Sequence, residues 1–279
     1  MTTLPPIFVS HGSPMMALEP GAAGAFLQRL GPAVDATFGR PRAILAISAH
    51  TLTREPVLLA APRHETVHDF GGFPPALYAL RYDTSGAPAL AEQAATLLRD
   101  AGLPVHVVSQ GGLDHGIWSP LRFAWPAADI PVLPLGLPPD WSPARLLSLG
   151  RALAPLADDG VLILGTGNIT HNLRLVFGPG GPPALDLPEI ASSAAFRAWF
   201  AERALASDWS ALADYRRQAP HAVDMHPTDE HLLPWYVPAG AGGRAQPGRR
   251  LHDSVTYGCL GMDAYAFGPQ AAALQQALA

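Results

Sequence analysis

The sequence is poor in cysteine, in long hydrophobic runs and in clustered basic residues. Its one cysteine, Cys259, excludes an intramolecular disulfide and suits a reducing compartment. Its apolar stretches are broken by proline, glycine or charge before they could span a bilayer, and no charged segment precedes an apolar run at the N-terminus, so we expect neither a membrane span nor a signal peptide. These features predict a cytoplasmic protein that has no membrane partner.

Nucleic acid is not an expected partner either. The net charge is −5, and the arginine pairs Arg216-Arg217 and Arg249-Arg250 are isolated from one another. A protein that binds nucleic acid needs a basic face to neutralise phosphates. The composition therefore favours a small-molecule ligand.

What the chain does have is alternating strand and helix patterns. Of its 279 residues 48% are apolar, which suffices for a sizeable core. The patterns predict strands at 7–10, 43–48, 57–60, 105–109, 132–135 and 161–165, and helices at 87–101, 142–156 and 189–206. Segments 178–187 and 238–249 are predicted loops. We expect one α/β domain over 1–279, with a central, mostly parallel or mixed sheet and helices on both faces.

Two histidines directly follow predicted strands. His11 comes after strand 7–10 and precedes Gly12, which permits a tight turn, and His50 follows strand 43–48. The carboxyl ends of parallel strands meet at one rim of a sheet, where α/β proteins place ligands. Neutral imidazole is the commonest protein ligand for metals. The two strand ends therefore indicate a metal site.

A third histidine, His231, stands far downstream in Pro-Thr-Asp-Glu-His-Leu-Leu-Pro. We expect a helix to begin near Thr228, with the threonine side chain as its cap. Glu230 is adjacent to His231 and also offers a ligand atom. The spacing leaves both residues open as the third ligand.

Further histidines lie in contexts that suit proton transfer. His115 stands between Asp114 and Gly116, and His171 follows strand 161–165 and a Gly-Thr-Gly-Asn turn. The G-x-G in that turn lacks the third glycine of a dinucleotide site. A histidine near its reference pKa of about 6.5 can take and give a proton near neutral pH. The joint pattern predicts a metal site with additional histidines for acid–base work, and His226 is a candidate for supporting it from outside.

Six motifs, in this order, resemble those of the class III extradiol ring-cleaving dioxygenases, in the 4,5-DOPA dioxygenase branch. They extend from near the first residue to about residue 235, and His-Asp-Phe-Gly-Gly-Phe-Pro is the most specific. The motifs are His11-Gly-Ser-Pro, Ser-Ala-His50, His68-Asp-Phe-Gly-Gly-Phe-Pro, Asp-His115-Gly, Gly-Asn-Ile-Thr-His171-Asn-Leu and Pro-Thr-Asp-Glu-His231-Leu-Leu-Pro.

The resemblance implies a non-haem metal held by His11, His50 and His231. It further implies that His171 is the acid–base residue and that His115 is a second active-site histidine. Fe(II) is the usual metal, and zinc has also been seen in this branch. The wider class holds iron with two histidines and a carboxylate, so Glu230 stays open as a rival to His231.

The activity implied is cleavage of a small catechol, DOPA-like or another catecholic acid, by O2 to a ring-opened semialdehyde. Neutral His171 would take the proton that a catechol must lose to chelate a metal. Two alternatives stay open: a zinc hydrolase acting on an amide or ester, and a non-catalytic metal-binding protein of the same fold. Arg63, Arg122 and Arg174 are candidate partners of a substrate carboxylate. The catechol and the oligomeric state are not predicted.

Overall fold

A mixed sheet of eight strands forms the centre of the molecule. The structure is a computed structural model that describes residues 3–177 and 184–279. The strands of the described residues are β1 (Ile7–Ser10), β2 (Ala43–Ser48), β3 (Val57–Leu59), β4 (Arg63–His64), β5 (Thr84–Ser85), β6 (His106–Val108), β7 (Val132–Gly136), β8 (Val161–Gly167), β9 (Arg249–His252), β10 (Val255–Thr256), β11 (Leu260–Gly261) and β12 (Ala264–Ala266).

Helices connect these strands. The α-helices of the described residues are α1 (Gly21–Phe38), α2 (Pro75–Tyr78), α3 (Pro88–Asp100), α4 (His115–Ala124), α5 (Pro143–Leu153), α6 (Pro155–Asp158), α7 (Leu173–Val176), α8 (Ala191–Leu205), α9 (Trp209–Ala213), α10 (Tyr215–Gln218), α11 (Ala222–Met225), α12 (Tyr236–Gly242) and α13 (Ala271–Leu278). Short 3-10 helices cover Pro14–Ala17 and Leu233–Trp235. No helix in residues 3–177 or 184–279 is long and apolar enough to cross a membrane.

The middle of the sheet is parallel. The strand order is β6-β3-β7-β2-β8-β1-β12-β9, and β7, β2, β8 and β1 run in the same direction. β3 is antiparallel to β7, and β12 is antiparallel to β1. The parallel strands are buried along their whole length, as expected for strands covered on both faces.

Alternate residues of β2 show how helices cover the two faces. Ile44 and Ala46 belong to the apolar cluster that includes α1 and α4, whereas Leu45 and Ile47 belong to the cluster that includes α5 and α12. Successive side chains of a strand point to opposite faces, so one continuous apolar run serves both clusters. The predicted α/β architecture, with a mixed sheet between two helical layers, is confirmed.

The predicted helix 142–156 is interrupted near its end. Ser142 caps α5 as expected, because its side chain accepts a hydrogen bond from the backbone N–H of Arg145 at 3.3 Å. However, α5 ends at Leu153, and the separate helix α6 begins at Pro155. Proline has no N–H to donate to the preceding turn, which explains the break.

The sequence pattern did not predict two helices that contain glycines. Helix α1 was not predicted, and α12 occupies the first part of the predicted loop 238–249. A Cβ on Gly31 in α1 would lie 1.9 Å from the carbonyl oxygen of Ala124, and one on Gly240 in α12 would lie 2.1 Å from that of Leu147. These glycines therefore permit close helix packing. Of the other predicted loop, 178–183 lie outside the described residues, and 184–187 form neither helix nor strand.

Candidate metal centre

Five histidines meet at the carboxyl-terminal rim of the parallel strands. His11 directly follows β1, His50 lies two residues beyond β2, and His171 lies four residues beyond β8. His115 begins α4, and His231 lies in a turn before the second 3-10 helix. The tight turn predicted after His11 is present, since Gly12 has a φ of 61°. The sheet topology thus brings together side chains that are up to 220 residues apart in sequence (231 − 11).

The imidazoles of His11, His50 and His231 face one another. One ring nitrogen from each lies within 4.8 Å of the other two. The Nε2 atoms of His11 and His50 are 3.0 Å apart, and the ring centroids of His231 lie 5.5 Å from His11 and 5.0 Å from His50. Three nitrogens that converge on one point are the donor set of a trigonal face around a metal.

A threonine fixes the protonation of His11. The Thr166 hydroxyl donates to the carbonyl oxygen of Gly116 at 2.6 Å, so its single proton is already used. The contact of 2.8 Å between Thr166 Oγ1 and His11 Nδ1 must then have the imidazole as donor. A proton on Nδ1 leaves the lone pair of His11 on Nε2, the atom that faces His50.

In the other two imidazoles, Nδ1 lies near a carboxylate. Nδ1 of His231 lies 3.2 Å from Glu230 Oε1, and Nδ1 of His50 lies 3.6 Å from Asp69 Oδ2. Such outer partners orient metal-bound histidines and raise their basicity. Glu230 Oε1 also accepts a hydrogen bond from Thr228 at 2.9 Å, so two donors already engage the oxygen nearest His231.

Burial keeps these imidazoles neutral. It is the main cause that lowers the pKa of His11 and of His231 well below the ordinary value, and neighbouring histidines add to the effect. Burial, and then the charge of His115, lower the pKa of His50 to about 4. Only the neutral imidazole has a lone pair for a metal, so the three residues fit a divalent ion such as Fe(II) or Zn(II).

The segment before His231 is a turn and not a helix. The expected helix start at Thr228 is wrong, because the Thr228 hydroxyl binds the Glu230 carboxylate and caps no backbone N–H. The turn is instead held against β8: the carbonyl oxygen of His231 accepts a hydrogen bond from the N–H of Asn168 at 2.8 Å. This tertiary contact carries His231 to the rim of the sheet.

His171 and His115 border the trio. The ring of His171 stacks on that of His231 with centroids 3.4 Å apart and an interplanar angle of 7°. Burial, followed by the charge of His231, holds the pKa of His171 far below its ordinary value. Nδ1 of His115 lies 3.0 Å from Asp69 Oδ2 and donates its proton to that carboxylate, so Nε2 is the ring nitrogen left for other contacts.

Two carboxylates support these histidines, and the sequence assigned neither a role. Burial raises the pKa of Asp69, but the hydrogen bond and charge of His115 outweigh it and leave a net lowering. Asp114 caps α4 and accepts hydrogen bonds from Ser48 at 2.7 Å and Thr51 at 2.6 Å. It therefore ties the end of β2, which carries His50, to the start of α4, which carries His115.

His226 and His68 lie outside the cluster. Nε2 of His226 lies 2.7 Å from the carbonyl oxygen of Ile169 and must donate to it, so this buried ring supports the chain just before His171. Nε2 of His68 lies 3.2 Å from the carbonyl oxygen of Leu80.

The histidines line one end of a cavity of about 900 Å³. His50, His115, His171 and His231 contribute to its wall, together with the apolar and aromatic side chains of Phe70, Phe73, Leu173, Phe177 and Leu260. A pocket of this size, mostly apolar with a few polar groups at one end, suits a single-ring aromatic ligand.

We expect Thr166→Val to weaken metal binding about 10- to 100-fold, because the nearly isosteric valine removes the acceptor that fixes the His11 tautomer. Metal affinity measured by competition with a chelator would show this. Thr166→Ser keeps the hydroxyl and is the matched control. An unchanged affinity in a folded Thr166→Val protein would contradict the role of this hydrogen bond.

The sequence of this chain matches known proteins over most of its length. Residues 5–268 match the family model described as the catalytic LigB subunit of aromatic ring-opening dioxygenase. A 4,5-DOPA dioxygenase extradiol of Beta vulgaris is 36% identical over 263 residues, covering 93% of this chain and 95% of the relative. The protein of that name from Escherichia coli K12 is 42% identical over 176 residues, covering 63% of each chain.

The fold is also shared with a solved structure. The crystal structure of an uncharacterized protein from Escherichia coli K12 has a TM-score of 0.71 and 28% sequence identity, and the match covers 95% of this chain and 100% of that one. The family match spans β1 to β12 and includes all five histidines of the cluster. This chain therefore belongs to the enzyme family of the catalytic LigB subunit of aromatic ring-opening dioxygenase.

Proposed function

We propose that this dioxygenase opens the ring of a small catechol next to its two hydroxyls, with O2 and an Fe(II) ion held by His11, His50 and His231, to give a semialdehyde. The observation that carries the proposal is the convergence of three neutral imidazoles at the buried end of an aromatic-lined cavity. We further propose that 1–279 acts as one catalytic domain.

The metal supplies what the side chains cannot. Fe(II) when bound would join the catechol and O2 at open coordination positions and let electron density pass between them, whereas zinc has no redox chemistry. Glu230, engaged by Thr228 and His231, orients the imidazole of His231 in this proposal.

Proton transfer falls to His171 and His115. His171 lines the cavity beside His231, and in this proposal its neutral imidazole accepts the proton that a catechol hydroxyl loses on binding; because burial lowers its pKa, the protonated ring then gives that proton up readily. Asp69 holds His115 through Nδ1. In this proposal Nε2 of His115 exchanges a proton with an oxygen atom of the substrate as its ring opens. Phe70 and Phe73 pack edge to face in the cavity wall and offer apolar surface to the substrate ring.

The relatives support a catechol over the alternatives. Several carry the name 4,5-DOPA dioxygenase extradiol, which points to a DOPA-like substrate. A non-catalytic metal-binding protein would have no use for a second pair of histidines beside the metal ligands. Family membership favours ring opening over both this alternative and a zinc hydrolase.

The test is anaerobic reconstitution with Fe(II), followed by a catechol panel and an oxygen electrode. DOPA, dopamine, caffeate and protocatechuate form the panel. We expect oxygen uptake with a yellow ring-opened product from at least one of them, and no uptake by the zinc-loaded protein. Absence of product from every catechol, with iron shown to be bound, would refute the proposal.

A further inference from the structure

No arginine of residues 3–177 or 184–279 lines the active-site cavity, where it could bind a substrate carboxylate. Among the described residues that line it, the ionisable groups other than histidine and tyrosine are the carboxylic acids Glu19 and Asp69. The chain contains no lysine, so its 18 basic residues are all arginines. Segment 178–183, which the structure does not describe, consists only of glycine and proline.

The three arginines considered as carboxylate partners lie elsewhere. Arg63 is exposed on β4, and its guanidinium lies 3.8 Å from the Asp83 carboxylate. Arg122 is in the last turn of α4. Arg174 is exposed in α7, where Leu173, Val176 and Phe177 share the face that lines the cavity.

Glu19 lies toward the open end of the cavity. It is exposed, whereas the imidazoles of His11, His115 and His231 are buried, so the cavity extends from a buried metal end to an acidic mouth. No basic side chain of residues 3–177 or 184–279 forms an ion pair with Glu19 within 4.0 Å. Its charge is therefore available to a ligand.

A constrained tyrosine lines the same cavity as Glu19. Tyr257 has a left-handed φ of 55°, which is uncommon for an aromatic residue, and its N–H donates to the carbonyl oxygen of Leu185 at 2.9 Å. Burial raises the pKa of its phenol, a hydrogen bond with Ser13 opposes the rise, and the charge of Glu19 adds to it. Ser13, Glu19 and Tyr257 thus supply polar groups to the cavity wall.

We propose that the enzyme selects catechols whose ring side chain carries no net negative charge, and that Glu19 is the specificity residue that favours an ammonium group. The inference rests on the proposed function, since it takes the catechol hydroxyls to bind at the metal end. A carboxylate on the side chain would lose water in the apolar cavity without gaining a cation and would meet the charge of Glu19. An ammonium group would gain a counter-ion there.

Three catechols of matched length test this selection: dopamine, 4-ethylcatechol and dihydrocaffeate, with a positive, a neutral and a negative side chain. We expect kcat/KM for dopamine to exceed that for dihydrocaffeate by about tenfold or more, with 4-ethylcatechol between them. The affinities of the three catechols for the Fe(II) protein, measured as dissociation constants without oxygen, should follow the same order. DOPA, whose side chain carries both an ammonium and a carboxylate group, should have a kcat/KM near that of 4-ethylcatechol.

Variants of Glu19 assign the effect to that residue. Glu19→Gln should reduce the ratio of dopamine to dihydrocaffeate several-fold, and Glu19→Arg should invert it. Glu92→Gln removes the same charge from an exposed site on α3, away from the cavity, and should leave the ratio as it is. Raising the salt concentration should reduce the differences in kcat/KM among the three catechols.

The outcomes separate this inference from the function on which it rests. Ring cleavage with dihydrocaffeate equal to or better than dopamine would overturn the selection while upholding the dioxygenase activity. No cleavage of any catechol by the iron-loaded protein would overturn the activity, and the anaerobic dissociation constants would still decide the selection. An unchanged ratio in Glu19→Arg would remove Glu19 as its cause.

Discussion

Replacing His50 with alanine is expected to empty the metal site. His50 faces His11 with 3.0 Å between their Nε2 atoms, and its removal leaves two imidazoles on one side of the ion. Loss of an outer partner of a metal ligand already costs about 10- to 100-fold in affinity, so loss of the ligand itself should cost more than about 100-fold. Metal analysis after dialysis would show less than a tenth of the wild-type content, and oxygen uptake should disappear with it.

A second histidine variant separates this effect from a general loss of stability. His106→Ala removes an exposed imidazole on β6 that pairs with Glu55, and it should keep its full metal content. Thermal unfolding of His50→Ala without metal should match that of the wild-type protein without metal, because the side chain contributes little to the core. A His50→Ala protein that retains stoichiometric metal would remove His50 from the ligand set.

Replacing His171 with alanine is expected to lower turnover while leaving the metal in place. The metal should stay, because His171 stacks on His231 but is not one of the three converging imidazoles. Turnover should fall about 10²- to 10⁴-fold, the usual contribution of a positioned acid–base group. Metal analysis and steady-state oxygen uptake on the same preparation would show both results.

His171→Gln refines the comparison. Glutamine keeps a polar side chain at the cavity wall but cannot accept a proton at neutral pH, so it should be about as inactive as alanine. Catechol binding without oxygen should persist in both variants. If either variant loses its metal, His171 and not one of the trio is a ligand, and the division of roles among the five histidines is wrong.

Local sequence patterns correctly predicted the features that depend on residues close together in the sequence. Strands β1 and β2 are apolar runs that end in a serine, and the histidines that follow them, His11 and His50, are carried to the rim because the strands are parallel. The cap of α5 at Ser142 and the turn at Gly12 are likewise set by their own residues. The order of the histidine motifs along the chain, as seen in the resemblance, pointed to the family before any distance was known.

Sequence patterns failed where the role of a residue depends on a contact with a residue far away in the sequence. Gly31 and Gly240 resemble helix breakers in sequence, yet each lets two helices approach closely. Thr228 resembles a cap but binds Glu230, and its segment is held by β8. The role of Thr166 has no local signal, because its partner His11 is 155 residues away.

By itself, the sequence determined six of the eight strands of the sheet, the type of donor atoms and the candidate histidines, since each depends on the chemistry of a few neighbouring residues; β9 and β12 were not predicted. Only the tertiary structure decided which ring nitrogens face one another, which groups hold their tautomers, and which charges line the cavity. Those properties depend on side chains brought together across the sheet, and the pairing of Asp69 with His115 and the acidic mouth at Glu19 exist only in the folded chain.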